Sequence, residues 1–309
     1  MGPTFPFVFV DTSRTFGAQP FGFLVGLGVV VGEHYASKRA KALGYDPALF
    51  RSFIFWEMIV GMFCAHALDA IFYHPEFLEK NPLFLFKVFD GLSSFGGFIG
   101  ALLGAVGWSR ITFVNSIPKL RERALPLLPF AECTTPAFVF TFTFGRVGCA
   151  LVHDHPGALA LNGAAFSVDW PIDENDGVHT VVGPFHWVHG SIARYDLGLL
   201  ELLFLLFMCA AVLATWKKRM PLGTYIAMCA LSYSSVRFCM DFLRRHEGPD
   251  SDARYGALTF AQYACIAFFV LGIYFAWKIH ASKGTFGRDS EKIVSASTVA
   301  PAPAVIKPA

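Results

Sequence analysis

The chain has 309 residues, of which 54% are hydrophobic and 16% charged, against roughly 25% charged in an ordinary soluble domain. Its 34 phenylalanines give it more apolar surface than one soluble core of this length can bury, so lipid must cover part of it. A net charge of +2 is too small to point to nucleic acid, which is not expected as a partner.

The first residues, MGPTFPFVFV, carry no basic n-region and no clear cleavage site, and do not read as a removable signal peptide. A membrane helix needs about 20 mostly apolar residues. Seven stretches qualify: Gln19–Ser37, Phe50–Tyr73, Gly91–Val114, Leu127–Leu151, Leu197–Trp216, Leu222–Phe242 and Leu258–Ile279. Prolines at His74-Pro75, Asn81-Pro82, Ile117-Pro118 and Met220-Pro221 resist continuation of a helix and break the chain between them. Between the fourth and fifth stretches, His153 to Asp196 forms a long arm rich in Gly, Pro, Asp and His, with β-like runs such as Thr180-Val181-Val182. Arms of this length commonly carry function or cover a site. From Ser282 the chain turns low-complexity, ending SASTVAPAPAVIKPA, and is expected to be disordered. The fold class expected is an all-α polytopic integral membrane protein with about seven transmembrane helices and a periplasmic arm. The membrane domain covers 1–281, the arm 153–196 and the tail 282–309.

Basic residues follow spans one, three and five: Lys38, Arg39, Lys41 and Arg51, then Arg110, Lys119, Arg121 and Arg123, then Lys217, Lys218 and Arg219. The tail adds more, whereas the other side holds few, among them Arg14 and Lys80. This bias predicts the N-terminus outside and the C-terminus in the cytoplasm. Trp108, Trp216 and Trp277 end spans just before basic residues, as an interfacial belt does. The seven cysteines fall in apolar runs without a CxxC pair, so neither a disulfide framework nor a metal site is read.

Charges inside a bilayer are costly and are usually paired or functional. In this topology His66, Asp69, Arg146, Arg237, Asp241, Ser93, Ser94 and Glu201 gather in the outer halves of their spans, either as a site facing the outer leaflet or as helix-to-helix ties. Arg237, Asp241 and Arg244 are spaced i, i+4, i+7 and share a helix face. They form either an internal ion pair with an interfacial arginine or a guanidinium fork for a phosphate. Gly96, Gly100 and Gly104 repeat every four residues, which is mainly a packing signal. Gly96-Gly97 beside Ser93-Ser94 also offers a polar pocket. Arg146 stands between Gly145 and Gly148 in Phe144-Gly145-Arg146-Val147-Gly148-Cys149, where an exposed backbone and an accessible charge suit an anionic headgroup. His153 and His155 form an HxH pair with no third metal ligand evident.

The order of these features resembles the prolipoprotein diacylglyceryl transferase family over most of residues 15–275. The resemblance runs through His74-Pro75-Glu76, Asn81-Pro82 and Asp90-Gly91-Leu92-Ser93-Ser94-Phe95-Gly96-Gly97-Phe98-Ile99-Gly100. It continues through Gly145-Arg146-Val147-Gly148-Cys149, Arg194-Tyr195-Asp196 with Glu201, Arg237-Phe238 with Asp241-Phe242 and Arg244, and Gln262. It implies an enzyme of the bacterial inner membrane that moves the diacylglyceryl group of phosphatidylglycerol to the lipobox cysteine of a prolipoprotein, with no cofactor. Its partners are phosphatidylglycerol, the lipobox peptide and membrane lipid. By resemblance Arg146 binds the lipid phosphate, and Arg237 and Arg244 hold or release the phosphate product. Asp154, Glu201 and Asp241 fall at family carboxylates, and Ser94, Gly96 and Gly97 join the substrate-binding set. The family histidine is Phe95 here, its signature asparagine is Cys149, the next asparagine is Val152 and its first-span tyrosine is Phe21. His153, His155, Asp154 and Asp69 are then the candidates for the base that takes the thiol proton. Two other classes compete: a family member that binds lipid or lipoprotein without catalysis, and a small-anion transporter.

Overall fold

A helix stands at each of the seven apolar stretches in the computed structural model, which describes residues 4–10, 20–72, 74–87, 91–114, 117–161, 164–173, 176–245 and 254–297. Arg14, Gln19, Tyr73, Asp90 and the tail beyond residue 297 lie outside the described residues. In chain order the elements are β1 (Phe5–Val10), α1 (Pro20–Ala42), α2 (Pro47–Phe72), α3 (Pro75–Lys80), α4 (Ser94–Arg110), β2 (Ile111–Val114), β3 (Ile117–Leu120), α5 (Leu128–Val152), β4 (Pro156–Leu159), β5 (Ser167–Trp170), β6 (Val178–Val182), β7 (Phe185–His189), β8 (Ile192–Asp196), α6 (Leu197–Thr215), α7 (Thr224–Met240), β9 (Arg254–Tyr255), β10 (Leu258–Thr259), α8 (Phe260–Ala281) and α9 (Arg288–Ser297). Short 3-10 turns lie at Pro82–Phe86 and Asp241–Leu243.

Among the described residues, five helices are long and apolar enough to cross a membrane: α2, α5, α6, α7 with the turn that follows it, and α8. They carry exposed apolar side chains such as Phe55, Phe207 and Trp277, a surface that lipid, not water, suits. The chain is therefore a multi-pass helical membrane protein. The third expected span is shorter than the sequence reading made it: α4 has 17 residues, about 26 Å against a hydrocarbon core of about 30 Å. Residues 111–114, read as its end, pair instead with β3 in a hairpin. Within the stretch expected to be a disordered tail, Arg288–Ser297 is helical.

The chain divides into two compact units, one of residues 1–32, 136–219 and 231–269, the other of residues 33–135, 220–230 and 270–309. The first unit corrects the all-α expectation, because it contains a six-stranded sheet ordered β4-β8-β5-β1-β7-β6. Strand β1 pairs parallel with β5 at Phe5 and Pro6 and antiparallel with β7 from Phe7 to Val10. The arm supplies the other five strands. The β6–β7 hairpin closes through Gly183, whose φ of +60° is the backbone region glycine enters without a Cβ penalty. Strand β8 runs straight into α6, and the Asp196 carboxylate accepts a hydrogen bond from Leu199 N at 3.0 Å as its N-cap.

In the second unit α2 and α4 pack through the glycine series. A Cβ on Gly96, Gly100 or Gly104 would lie 2.5–2.6 Å from the carbonyl oxygens of Cys64, Val60 and Trp56. Only glycine lets the backbones approach so closely. Tyr45, Phe50, Phe53, Trp108 and Phe130 form the aromatic core of this unit, with the Trp108 and Phe130 rings edge to face at 4.8 Å. The buried Glu132 carboxyl group accepts from Tyr225 N at 2.8 Å and Ile226 N at 3.3 Å, so its oxygens satisfy orphan donors at the start of α7.

Candidate functional site

Four helices of the first unit meet the extended segments at their ends: α5 at Val152, α6 at Leu197, α7 at Met240 and α8 at Phe260. Arg146, Glu201, Arg237 and Gln262 sit within two turns of those ends. Helix α1 backs α5 through close contacts, since a Cβ on Gly28 would lie 2.8 Å from the Thr141 carbonyl oxygen and one on Gly148 3.0 Å from Phe21 Cα. Gly148 therefore serves packing, whereas a Cβ on Gly145 would meet only Val25 at 3.9 Å, and the Arg146 charge is not accessible as the sequence reading had it. Arg146 is 3% exposed.

An alternating chain of charges joins three helices. Arg146 Nη2 lies 3.1 Å from Glu201 Oε2, and Arg237 Nε lies 3.7 Å from the same oxygen. Arg237 Nη1 donates to Asp241 Oδ1 at 2.9 Å, and Arg244 Nε donates to that oxygen at 2.5 Å. Tyr233 donates its hydroxyl to Glu201 Oε1 at 2.6 Å. Thr259 donates to the other Asp241 oxygen, and Gln262 Oε1 accepts from Thr259 N at 3.0 Å. Gln262 also donates to the Phe238 carbonyl at 3.3 Å. Both carboxylates are thus oriented by neutral donors as well as by cations, which suits buried charge.

Beside Arg146 lies a second cluster. Arg146 Nη1 is 3.6 Å from Cys149 Sγ. Ligand atoms of Cys149, Asp154 and His155 lie within 4.8 Å of one another, and Asp154 accepts a hydrogen bond from the His155 ring. Burial pushes the Asp154 carboxyl up, but the His155 hydrogen bond and charge and the Arg146 cation outweigh it and hold it below the usual carboxylate range. A thiol, a carboxylate and an imidazole are donors that a soft divalent cation uses, but this group takes only His155 of the HxH pair and leaves His153 out. The Arg146 guanidinium on the same sulfur opposes a further cation there, and the pairing of Asp154 with His155 fits proton handling.

His153 takes a different part from the catalytic one expected. Its φ of +51° turns the side chain onto the sheet, where Nδ1 faces Asp196 Oδ2 at 2.5 Å and Nε2 faces the Val8 carbonyl at 2.9 Å. The ring stacks on Phe7 at 3.7 Å. Both nitrogens are engaged by oxygens of the protein itself, away from Cys149, Asp154 and His155. His153 ties β1 to the cap of α6.

Ser94, Gly96 and Gly97 belong to the second unit. Gly96 is filled against Cys64, Ala65 and Leu68, and Ser93 caps α4 by accepting from Gly96 N at 3.3 Å, so packing and capping account for Gly96. Asp69 lies against Gly91 and 4.0 Å from His74, and His66 bridges the carbonyls of Gly91 and Phe84 at 3.1 and 2.9 Å. Sequence reasoning missed Tyr233, although it stands four residues before Arg237 on the same helix face.

A family model described as prolipoprotein diacylglyceryl transferase matches residues 9–278. The chain is 28% identical over 208 residues to the phosphatidylglycerol–prolipoprotein diacylglyceryl transferase of Janthinobacterium sp. (strain Marseille), covering 66% of this chain and 68% of that protein. It is 25% identical over 275 residues to the protein of that name from Proteus mirabilis, covering 86% and 89%. To the Haemophilus influenzae protein (strain PittEE) it is 24% identical over 284 residues, covering 88% and 92%.

Proposed function

The chain belongs to the prolipoprotein diacylglyceryl transferase family, and on that footing we propose that it is an enzyme transferring the diacylglyceryl group of phosphatidylglycerol to the lipobox cysteine of a bacterial prolipoprotein. One observation carries this reading. The chain Arg146–Glu201–Arg237–Asp241–Arg244 sets three guanidiniums against two carboxylates, leaving one surplus positive charge for an anion. Glu201 Oε2 occupies the position between Arg146 and Arg237 that a phosphate oxygen would take, since guanidiniums bind carboxylate and phosphate with the same fork.

In the proposed reaction the precursor thiol loses its proton to the Asp154–His155 pair, because thiolate is the nucleophile. The sulfur attacks the glycerol carbon that bears the phosphate. A C–S bond forms, the C–O bond breaks, and the electron pair leaves on the phosphate oxygen as glycerol phosphate. That oxygen gains charge as the bond breaks, and fixed guanidiniums in a water-poor site favour it. Arg146 and Arg237 bind the headgroup and Arg244 holds the product. Asp241 and Glu201 position these cations. The site faces the outside of the bacterial inner membrane.

The burial of Arg146 and Arg237, 3% and 5% exposed, favours a second reading, in which the ion chain is a fixed tie and the protein binds lipid or precursor without turnover. One assay separates the two. Membranes carrying the chain are given phosphatidylglycerol and a lipobox peptide, and the peptide is weighed by mass spectrometry. The expected result is a thioether adduct of diacylglyceryl mass, reduced about 10²–10³-fold or more in Arg146→Ala at equal protein level. An unmodified peptide with folded wild-type protein would sink the transferase reading, and full activity in Arg146→Ala would remove Arg146 from it.

A further inference from the structure

Thr259 ends a short strand and begins a helix. Strands β9 and β10 pair it with Arg254 across a turn that passes through Gly256, whose φ of +68° suits glycine, and α8 starts at the next residue. Gln262 N donates to Thr259 Oγ1 at 3.2 Å, and Thr259 N donates to Gln262 Oε1 at 3.0 Å. The run Thr259-Phe260-Ala261-Gln262 is therefore a capping box, in which the N-cap residue and the third helical residue satisfy each other's backbone donors. Such a box is complete in itself, yet both of its members reach further. The Thr259 hydroxyl donates to Asp241 Oδ2. Gln262 Nε2 donates at 3.3 Å to the Phe238 carbonyl, in the last turn of α7, where a helix leaves carbonyls without intrahelical partners. Thr259, Gln262 and Asp241 are all buried.

A hydroxyl has one proton to give. The acceptor side of Thr259 takes the Gln262 N–H, so its proton goes to Asp241, whose carboxylate only accepts. The two Asp241 oxygens are thereby divided: Oδ1 receives Arg237 Nη1 and Arg244 Nε, and Oδ2 receives Thr259. We propose that Thr259 and Gln262 are positioning residues for the anion site, setting through Asp241 how Arg237 meets a phosphate.

With the hydroxyl in place, Asp241 holds Arg237 through one nitrogen, Nη1. Without it, Oδ2 turns to the nearest guanidinium and closes on Arg237 the two-bond fork that a phosphate would otherwise use. Gln262 keeps the hydroxyl pointed: it fixes Thr259 from both sides of the capping box and ties the end of α7, which carries Arg237 and leads into Asp241, to the start of α8. Neither residue has to touch the lipid for this. The inference rests on the transferase reading in one respect, that the anion met by Arg237 is the phosphate of phosphatidylglycerol.

The test uses the full-length protein in mixed micelles and measures peptide lipidation while phosphatidylglycerol and lipobox peptide are varied in turn. Thr259→Val keeps the shape of the side chain and removes the hydroxyl. It is expected to raise KM for phosphatidylglycerol about tenfold, as for a lost hydrogen bond to a charged group, with KM for the peptide unchanged and with Thr259→Ser restoring the wild-type value. A merely structural role lowers the amount of active protein, which lowers the rate and moves neither KM. Thr259→Gly also lacks the hydroxyl, costs a helix start little, and serves if Thr259→Val fails to fold. A folded Thr259→Val protein with the wild-type KM for phosphatidylglycerol overturns the proposal, as does an equal rise in both KM values or a Thr259→Ser protein as impaired as Thr259→Val. In parallel, quenching of tryptophan fluorescence by brominated phosphatidylglycerol, against brominated phosphatidylcholine, reads headgroup binding without turnover. A wild type that prefers phosphatidylglycerol but leaves the peptide unmodified, with the preference lost in Thr259→Val, keeps the positioning role and loses the transferase reading. A wild type with neither preference nor turnover overturns both.

Discussion

At the scale of single residues, two histidines one position apart do unlike things, and the backbone decides which does what. His153 leaves α5 in the left-handed region and is clamped between Asp196 and the Val8 carbonyl. His155 is paired with Asp154 beside Cys149 and Arg146. His155→Ala is therefore expected to slow peptide lipidation by about 10²–10⁴-fold, the usual worth of a positioned base, with the unfolding midpoint nearly unchanged. His153→Ala is expected to cost about 1.5–3 kcal/mol of stability, as for a hydrogen bond to a charged group, seen as a lower midpoint in thermal unfolding. Equal effects of both variants on rate at unchanged midpoints would refute the division of labour. Because the Asp154 carboxyl lies below the usual range, it stays ionised through neutral pH. Its contribution to stability is present above the unfolded carboxyl pKa of about 4 and is lost only as pH falls through the lower folded value. The HxH motif alone does not show this, since spacing says nothing about a φ of +51°. The Arg237, Asp241 and Arg244 spacing is legible, because an i, i+4 interval on a helix fixes which side chains meet; what spacing left open is that Glu201 and Tyr233 complete the cage.

At the scale of elements, the glycine ladder was readable and the sheet only in part, through the β-like run Thr180-Val181-Val182 that forms most of β6. Glycines every fourth residue can face only one neighbour on a helix, and α4 sets them against α2. Gly100→Ala puts a Cβ 2.6 Å from the Val60 carbonyl oxygen, whereas Gly97→Ala meets only the Ala65 Cβ at 3.8 Å. Gly100→Ala is expected to destabilise by about 1–3 kcal/mol, the cost of overpacking, and Gly97→Ala by much less. Thermal unfolding in detergent reads the difference, and equal midpoints would show that the helices do not meet there. The strands were hard to see for the converse reason. They are four to six residues long, and β1 finds its partners β5 and β7 more than 150 residues away. The run Phe5 to Val10 is apolar throughout, so it shows a strand only once those partners are known.

At the scale of the molecule, composition settled the membrane class because the need for lipid is a property of total apolar surface, not of any one residue. Orientation is a finer question, and the chain order constrains it. The arm 153–196 joins α5 to α6, and β9 and β10 lead into α8, so the sheet and the adjoining ends of these helices belong to the first unit. The basic connection Lys217-Lys218-Arg219 lies at the far end of α6, and such connections stay in the cytoplasm. Alkaline phosphatase, which gains activity only where disulfides form, outside the cytoplasm, is expected to be active when fused after Val182 and inactive when fused after Lys218. The reverse pattern would put the arm and the helix ends that carry the ion chain on the cytosolic side. A precursor thiol on the outer face would then meet neither the base nor the guanidiniums.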